Sequence, residues 1–492
     1  MRRVWFALLL LLAAAVAEAQ VVDPRAVDRI VNETLRAWQI PGAAIAIVRD
    51  DKVVLVKGYG VRELGGEAVT PDTLFQIAST SKAFTTTAMA MLVDEKKLKW
   101  DDPVRKHVEY LRFDDPCVDS MVTLRDVVSH RTGLGRHDEL WDNSPWSREE
   151  VLRRIGQVAP ARGFRSGYGY HNIMFIAAGE AVAHASGMPW DDFVRTRIFG
   201  PLSMTRTITE DEELTKSEHA TGYRFDRTQQ RPVVQAPIDT KTLGAGGAVK
   251  STARDMANWL RFHLGNGVFD GQRLVSTEAL NETKTPQTVI RVEGSTKESN
   301  PETLLEAYGM GWVVQDYKGE LLVSHSGSLN GFRTHVDLLP KQNAGFVVLI
   351  NVGRSYATVA LRNALSDLLL GKPSRDWNAY YLALDRKAEM EAEKARSERE
   401  AKRQPDTTPS HDLSAYAGTY ESRAYGELTI AVEDEALVLR WSRLAIPLVH
   451  YHYDTFLAVD ELADVDEAVR FTTDPDGDIG ELTVFGQRFV KK

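Results

Sequence analysis

The chain has 492 residues, 43% of them hydrophobic and 26% charged, with a net charge of −9. This length exceeds what one hydrophobic core usually serves, so at least two folding units are expected, and the composition excludes a disordered or fibrous chain. No basic domain or Arg/Lys stripe offsets the acidic balance, which argues against nucleic acid as a partner and assigns the acidity to solubility.

Met1-Arg2-Arg3 supplies positive charge, residues 4–16 form an apolar run, and Ala17-Glu18-Ala19 fits a small-x-small cleavage pattern. Residues 1–19 are therefore expected to be a signal peptide, with the mature protein starting near Gln20 and exported to a periplasm or the medium. The competing reading is a retained anchor. The run is short for that purpose, since a bilayer span needs roughly 20 residues. No later segment is long and apolar enough to span a membrane. Cys117 is the only cysteine, so stability must come from packing and not from an internal disulfide.

In chain order, residues 23–38 predict a helix opening at Asp23-Pro24, with Val27, Ile30, Val31, Leu35 and Trp38 near helical spacing. Ala43–Val48 and Val53–Val56, joined across Asp50-Asp51, predict a hairpin. Thr80–Leu92 turns helical, Thr123–Val128 is a short helix with Thr123 and Asp126 as a capping pair, and Ile173–Ala185 is an Ala-rich helix. Strands return at Leu321–Val323, Val336–Leu339 and Phe346–Ile350, and Ala357–Leu370 closes as a helix. The fold class is α+β: an antiparallel sheet flanked by helices, plus a mainly helical subdomain, over residues 20–375. Residues 376–411 form a charged helical linker, nearly all Arg, Lys, Glu and Ala from Arg386 to Arg403. Short alternating runs at Gly426–Val432, Ala436–Trp441, Phe456–Val459 and Leu482–Phe489 make residues 412–492 a small all-β domain, a barrel or sandwich.

The chemistry centres on Phe75-Gln-Ile-Ala-Ser79-Thr-Ser-Lys82. A bare S-x-x-K is a weak signal, and its context strengthens it. A loop enters a helix there, so Ser79 lies at the helix N-terminus and Lys82 one turn later on the same face. Free backbone N–H groups and the helix dipole favour a developing oxyanion. A desolvated Lys82 loses its proton near neutral pH and activates the Ser79 hydroxyl.

Ser79-x-x-Lys82, then Tyr170-His171-Asn172, then His325-Ser326-Gly327 resembles the three-motif set of class C β-lactamases, DD-peptidases, D-aminopeptidases and related esterases. Leu124–Leu134, Gly244–Ser251 and Gly327–Phe332 extend the resemblance over about residues 25–370. It implies Ser79, Lys82 and Tyr170 as catalytic residues. It also implies Asn172 bonded to Lys82 and a substrate amide, and His325, Gly327 and Ser328 as substrate-binding residues. His325 stands where class C β-lactamases carry Lys; the resemblance gives it a substrate carboxylate to orient or a proton to relay. The oxyanion would lie between the backbone N–H groups of Ser79 and Ser328. The C-terminal β domain resembles lipocalin-like barrels appended to some such peptidases, where they cap the cleft or support assembly.

Other candidates are weaker. His130 and Arg131 read as scaffolding near the site. His450, His452 and Asp454 alternate along a late strand as a solvated face, without the spacing of a metal site. Gly244–Gly247 lacks the helix entry of a phosphate loop.

The resulting expectation is a serine hydrolase forming a Ser79 acyl-enzyme on amide or ester bonds of a small-molecule or short-peptide substrate. It needs no metal or organic cofactor, and a homo-oligomer is compatible with it. The alternatives are a β-lactamase and a slowly deacylating penicillin-binding sensor. His325 in place of Lys tilts the choice towards a D-residue peptidase or an esterase.

Overall fold

Pro24 opens helix α1 (Pro24–Trp38) in the computed structural model of the protein, which describes residues 22–142, 144–460 and 465–492. The leader expected at residues 1–19 lies outside the described residues. Asp23 caps the helix by accepting from the Arg25 N–H, and Val27, Val31, Leu35 and Trp38 form its buried stripe. The hairpin follows as β1 (Gly42–Arg49) and β2 (Lys52–Gly60).

The remaining strands of the main sheet come from the far end of the hydrolase-like region. They are β3 (Thr288–Ile290), β4 (Glu306–Tyr308), β5 (Val313–Tyr317), β6 (Glu320–Leu329), β7 (Phe332–Leu339) and β8 (Ala344–Ile350). The sheet has eight strands in the order β2-β1-β8-β7-β6-β5-β4-β3, antiparallel at every junction. Pairing of Ile45 with Val348 stitches the N-terminal hairpin to the last strand of the domain. β1 is buried on both faces, and its alternation serves two cores. Ala43, Ile45 and Ile47 face Trp38, while Ala44, Ala46 and Val48 face the helical subdomain.

The front face carries α2 (Ser81–Asp94), α3 (Leu124–Val128), α4 (Ile173–Ser186) and α5 (Ala253–Leu264). Thr123 and Asp126 form the expected capping box of α3. α2 is buried on all sides from Ser81 to Leu92, and its Phe84 stacks on Trp259 of α5 with centroids 3.8 Å apart. Ala-rich α4 lies close to the Gly244–Gly246 turn, where a β-carbon at Gly179 would stand 2.6 Å from that of Ala245. Helix α6 (Ser355–Leu370) covers the back face with α1.

The stretch read as a solvated linker is docked at its start. Helix α7 (Trp377–Ala401) buries Trp377 and Tyr381, and Trp377 Nε1 donates to Asp367 Oδ2 at 2.8 Å. Asp367 Oδ1 also accepts from Tyr317 Oη and Lys318 Nζ, at 2.9 and 2.6 Å. Farther on, the helix is exposed, and Arg399 pairs with Asp466 of the last domain.

That domain is a closed antiparallel barrel of β9 (Gly418–Ser422), β10 (Gly426–Glu433), β11 (Ala436–Trp441), β12 (Leu444–His452), β13 (Thr455–Asp460), β14 (Val465–Thr473), β15 (Ile479–Val484) and β16 (Gln487–Lys491). Pairing of Tyr420 with Lys491 closes it. Side chains of Tyr416, Tyr420, Phe456 and Phe471 pack edge to face in its core. Two readings need correction. Leu482–Phe489 is two strands, because Phe485 and Gly486 both take positive φ, at 53° and 64°, and turn the chain. His450, His452 and Asp454 do not share one strand face. A register shift separates the two histidines, and Asp454 sits in the following turn, accepting from the Ser410 N–H at 2.9 Å.

Candidate active site

Ser79 is presented by a strained turn. Phe75-Gln76 pairs with Lys250-Ser251, and Ile77 donates to the Val249 carbonyl at 3.1 Å, fixing the approach. Ala78 then takes φ +52°, an uncommon conformation for a residue with a β-carbon. The Ile77 carbonyl accepts from Thr80 Oγ1 at 2.7 Å and Thr334 Oγ1 at 3.0 Å, which holds the turn. Ala78 and Thr80 are buried, whereas Ser79 between them stays half-buried at the entry to α2.

Lys82 is fully buried one turn later. Its Nζ lies 3.0 Å from Ser79 Oγ, 2.7 Å from Asn172 Oδ1 and 2.6 Å from the Gly246 carbonyl. Burial pushes the Lys82 amine well below its ordinary 10.5; the Asp138 charge draws it back and the Arg136 charge pushes it further down. The neutral amine is thereby favoured next to a hydroxyl whose proton it can take. Hydroxyls along α2 fasten this arrangement: Thr85 Oγ1 donates to the Ala245 carbonyl at 2.8 Å, and Ser81 Oγ accepts from the Val249 N–H at 3.1 Å.

Tyr170 meets both partners. Lys82 Nζ lies 5.0 Å from its ring centroid, and the Ser79 side chain is near enough to lower the proton affinity of its hydroxyl. Burial raises the phenol above its ordinary value, more than the Ser79 side chain and the Arg136 charge lower it. The group therefore stays a phenol at neutral pH, able to give a proton and disfavoured as a phenolate base. Arg136, with 62% of its side chain exposed, stands 5.6 Å over the same ring and is paired with Asp138. Asn172 is pinned at both ends of its amide: Oδ1 takes Lys82, and Nδ2 donates to Asp138 Oδ1 at 3.0 Å. One amide hydrogen expected to face a substrate is thus committed to the protein.

His325 lies on β6, its ring 6.4 Å from that of Tyr170, but not in the state expected. Nδ1 donates to the Ser326 carbonyl at 2.7 Å and Nε2 accepts from Tyr308 Oη at 3.0 Å, the tautomer that satisfies both. Burial lowers its pKa to about 3, so the ring is neutral and offers no charge to a substrate carboxylate. His171 is likewise lowered by burial to about 3. Gly327 faces the nucleophile turn, and its visible contribution is steric: a β-carbon there would stand 2.2 Å from the Ile77 carbonyl oxygen. Ser328 follows on the same strand, exposed and paired with Arg333.

β6 has one further property. β5 pairs with it only from Tyr317–Glu320 to Val313–Ser324, while β7 pairs with it through Leu329. Among the described strands, none pairs with residues 325–329 on the other edge.

His130 is scaffolding, as the sequence suggested: fully buried, it packs against Tyr170 at 4.3 Å and Tyr308 at 4.5 Å, and its Nδ1 accepts from the His171 N–H at 3.4 Å. Arg131 pairs with the capping residue Asp126. Sequence reasoning missed Asp138, Arg136, Tyr308 and the Gly246 carbonyl. The supporting Gly244–Ser251 stretch pointed near the last, while the others carry no motif. Among the described residues, no group of three or more His, Cys, Asp or Glu could hold a metal, and no helix is long and apolar enough to cross a membrane.

A family model described as Beta-lactamase matches residues 27–370, and one described as a domain of unknown function, DUF3471, matches residues 402–491. The chain is 31% identical over 437 residues to "Unguisins hydrolase ungD'" of Aspergillus campestris (strain IBT 28561), covering 83% of this chain and 78% of that protein. It is 27% identical over 339 residues to "Protein flp" of Staphylococcus aureus (strain COL), covering 67% and 63%. In fold it resembles the octameric penicillin-binding protein homologue from Pyrococcus abyssi, with a TM-score of 0.61 and 22% identity over 95% of this chain and 100% of that one. With the family model spanning most of a chain whose front cleft joins Ser79, Lys82 and Tyr170, the protein belongs to the Beta-lactamase family of β-lactamase-fold serine hydrolases.

Proposed function

We propose that the protein hydrolyses an amide or ester bond in a short peptide or small molecule by way of a Ser79 acyl-enzyme. The observation that carries this reading is the buried Lys82 amine 3.0 Å from Ser79 Oγ, with its proton affinity lowered by burial. Neutral Lys82 takes the hydroxyl proton as Ser79 Oγ bonds to the carbonyl carbon. The tetrahedral intermediate then expels its amine or alcohol, which takes a proton from Tyr170 or Lys82. Water attacks the acyl carbon and gives a proton to the same pair, which passes it to Ser79 Oγ as the acyl–oxygen bond breaks and the acid leaves.

A peptide or ester is favoured over a β-lactam because His325 is neutral and both its nitrogens are engaged. The unpaired edge at residues 325–329 suits an extended chain laid beside β6, where main-chain hydrogen bonds add a strand. The name of the Aspergillus relative, a hydrolase, agrees with turnover rather than a stalled acyl-enzyme. The leader-like residues 1–19 support an exported protein.

The test is Ser79-dependent turnover. p-Nitrophenyl ester hydrolysis and D-alanyl peptide release are measured beside nitrocefin hydrolysis, and a fluorophosphonate adduct is mapped by mass spectrometry in the native chain and in Ser79→Ala. Ester or peptide turnover lost in Ser79→Ala is expected. Labelling that survives Ser79→Ala overturns the nucleophile, and nitrocefin turnover far exceeding both others overturns the substrate class.

A further inference from the structure

The side chain of Tyr425 links the C-terminal barrel to the reaction centre. Tyr425, in the β9–β10 turn, is fully buried, its ring set against Trp441 at 5.6 Å, Phe485 at 6.5 Å and Phe489 at 6.2 Å. Its hydroxyl points out of that cluster into the hydrolase domain. There it lies 2.9 Å from His137 Nδ1 and 3.3 Å from Glu139 Oε2. The residue between those two is Asp138, which accepts from Asn172 Nδ2 at 3.0 Å and from Trp141 Nε1 at 2.7 Å. Asn172 in turn holds Lys82. From barrel to nucleophile, every step is one residue or one hydrogen bond.

Two features make this contact more than packing. His137 is held at φ +46°, a conformation a non-glycine residue keeps only when its surroundings impose it. One orientation of the tyrosine hydroxyl serves both neighbours: His137 Nδ1–H donates to Tyr425 Oη, whose own proton goes to Glu139. Burial pushes the Tyr425 phenol up, so it remains the neutral donor this chain of bonds needs. The remaining contacts steady the same end of the barrel. Arg154 Nη1 donates to the Ala424 carbonyl at 3.2 Å, its guanidinium lies 4.0 Å over the Trp146 ring, and Trp146 meets Trp441 at 5.9 Å.

We infer that Tyr425 is a positioning residue for the hydrolase site. By fixing His137 and Glu139 it sets Asp138, and through Asp138 the amide of Asn172 that orients Lys82. The barrel is then a working part of the active centre, and residues 402–491, matched by a domain of unknown function, acquire a role in this chain. The inference rests on the acyl-transfer reading of Ser79 and Lys82.

The experiment uses the full chain and p-nitrophenyl ester kinetics, with the rate of Ser79 labelling by a fluorophosphonate as a second readout. Tyr425→Phe keeps the ring and removes the hydroxyl. It is expected to lower kcat about tenfold with KM changed less than about twofold, and to slow labelling in proportion. His137→Phe should show the same loss, and the double variant should be no worse than either single one, because both break one chain of bonds. Arg423→Ala, which removes the exposed pair with Asp114 elsewhere on the interface, should leave kcat unchanged. Native kcat in Tyr425→Phe overturns the inference, as do losses that multiply in the double variant or an equal loss in Arg423→Ala. Where Tyr425→Phe melts early, Glu139→Ala, which removes the acceptor of the tyrosine hydroxyl, carries the kcat expectation with the barrel rings intact. A native chain without Ser79-dependent labelling refutes the acyl-transfer reading itself, an outcome visible before any variant is made.

Discussion

Gly327 and Ile77 touch backbone to backbone: a β-carbon on the first would stand 2.2 Å from the carbonyl oxygen of the second. That oxygen also anchors Thr80 and Thr334, so it cannot retreat without loosening the turn that carries Ser79. Gly327→Ala should therefore destabilise the protein by about 1–3 kcal/mol and lower kcat at least about tenfold. Gly167→Ala, where the added carbon meets open space, is the control. Equal melts and equal kcat for the two variants would refute the steric argument.

The charges of Asp138 and Arg136 act in opposite directions on the proton affinity of the Lys82 amine, and the pH profile should show it. Asp138 raises the affinity and Arg136 lowers it. If neutral Lys82 is the base, activity rises with pH through its pKa. Asp138→Asn should then move the acidic limb of kcat/KM to lower pH, and Arg136→Gln should move it to higher pH. Asparagine at 138 can still accept from Asn172 and Trp141 through one oxygen, while the pair with Arg136 is lost. Limbs that move together, or not at all, would remove Lys82 from the role of base.

His171 and His325 are neutral in the fold down to about pH 3, whereas an unfolded histidine takes a proton near 6.5. Between those values the unfolded chain binds protons that the native chain refuses, so acid favours unfolding. Stability should fall as pH drops from about 6.5, by up to about 1.4 kcal/mol per pH unit for each histidine. Urea unfolding at pH 7.5, 6.5 and 5.5 measures the slope before most carboxylates titrate. His325→Gln should make it shallower, and an unchanged slope would show that another group is responsible.

Trp377 should dominate the attachment of α7. It is buried, and it shares Asp367 with Tyr317 and Lys318. Trp377→Ala is expected to cost about 3–5 kcal/mol in denaturant unfolding. Arg396→Ala, on the exposed part of the same helix, should cost less than about 0.5 kcal/mol. Similar losses at both positions would mean the helix is held along its whole length.

Local chemistry made part of this molecule readable. Ser79 and Lys82 sit three residues apart at a helix entry, so their meeting is almost dictated by helix geometry. The capping box at Thr123 and Asp126 and the first hairpin are equally local. Tyr170, Asn172, His325 and Gly327 became visible through resemblance, because the contacts joining them to Ser79 span long stretches of chain. Even then, only their positions were legible. The charge state of His325 is set by burial and by Tyr308, which no motif marks. Gly246 acts through a carbonyl that every residue possesses, so no residue type announces it. Asp138 meets Asn172 across 34 residues of chain, and Tyr425 meets His137 only when two domains dock. In the barrel, β14 was missed because Asp466, Glu467 and Arg470 interrupt its apolar pattern, although Val469 and Phe471 point inward.

Helix α1 and Val22 pack into the core behind the sheet, whereas Ser79 opens on the front. A bead or resin coupled ahead of Val22 would thus grip the molecule from its rear, leaving the cleft turned towards the surrounding liquid. Protein immobilised in this way should keep the Ser79-dependent turnover that the free protein shows, a property of use in building a reactor or a sensor.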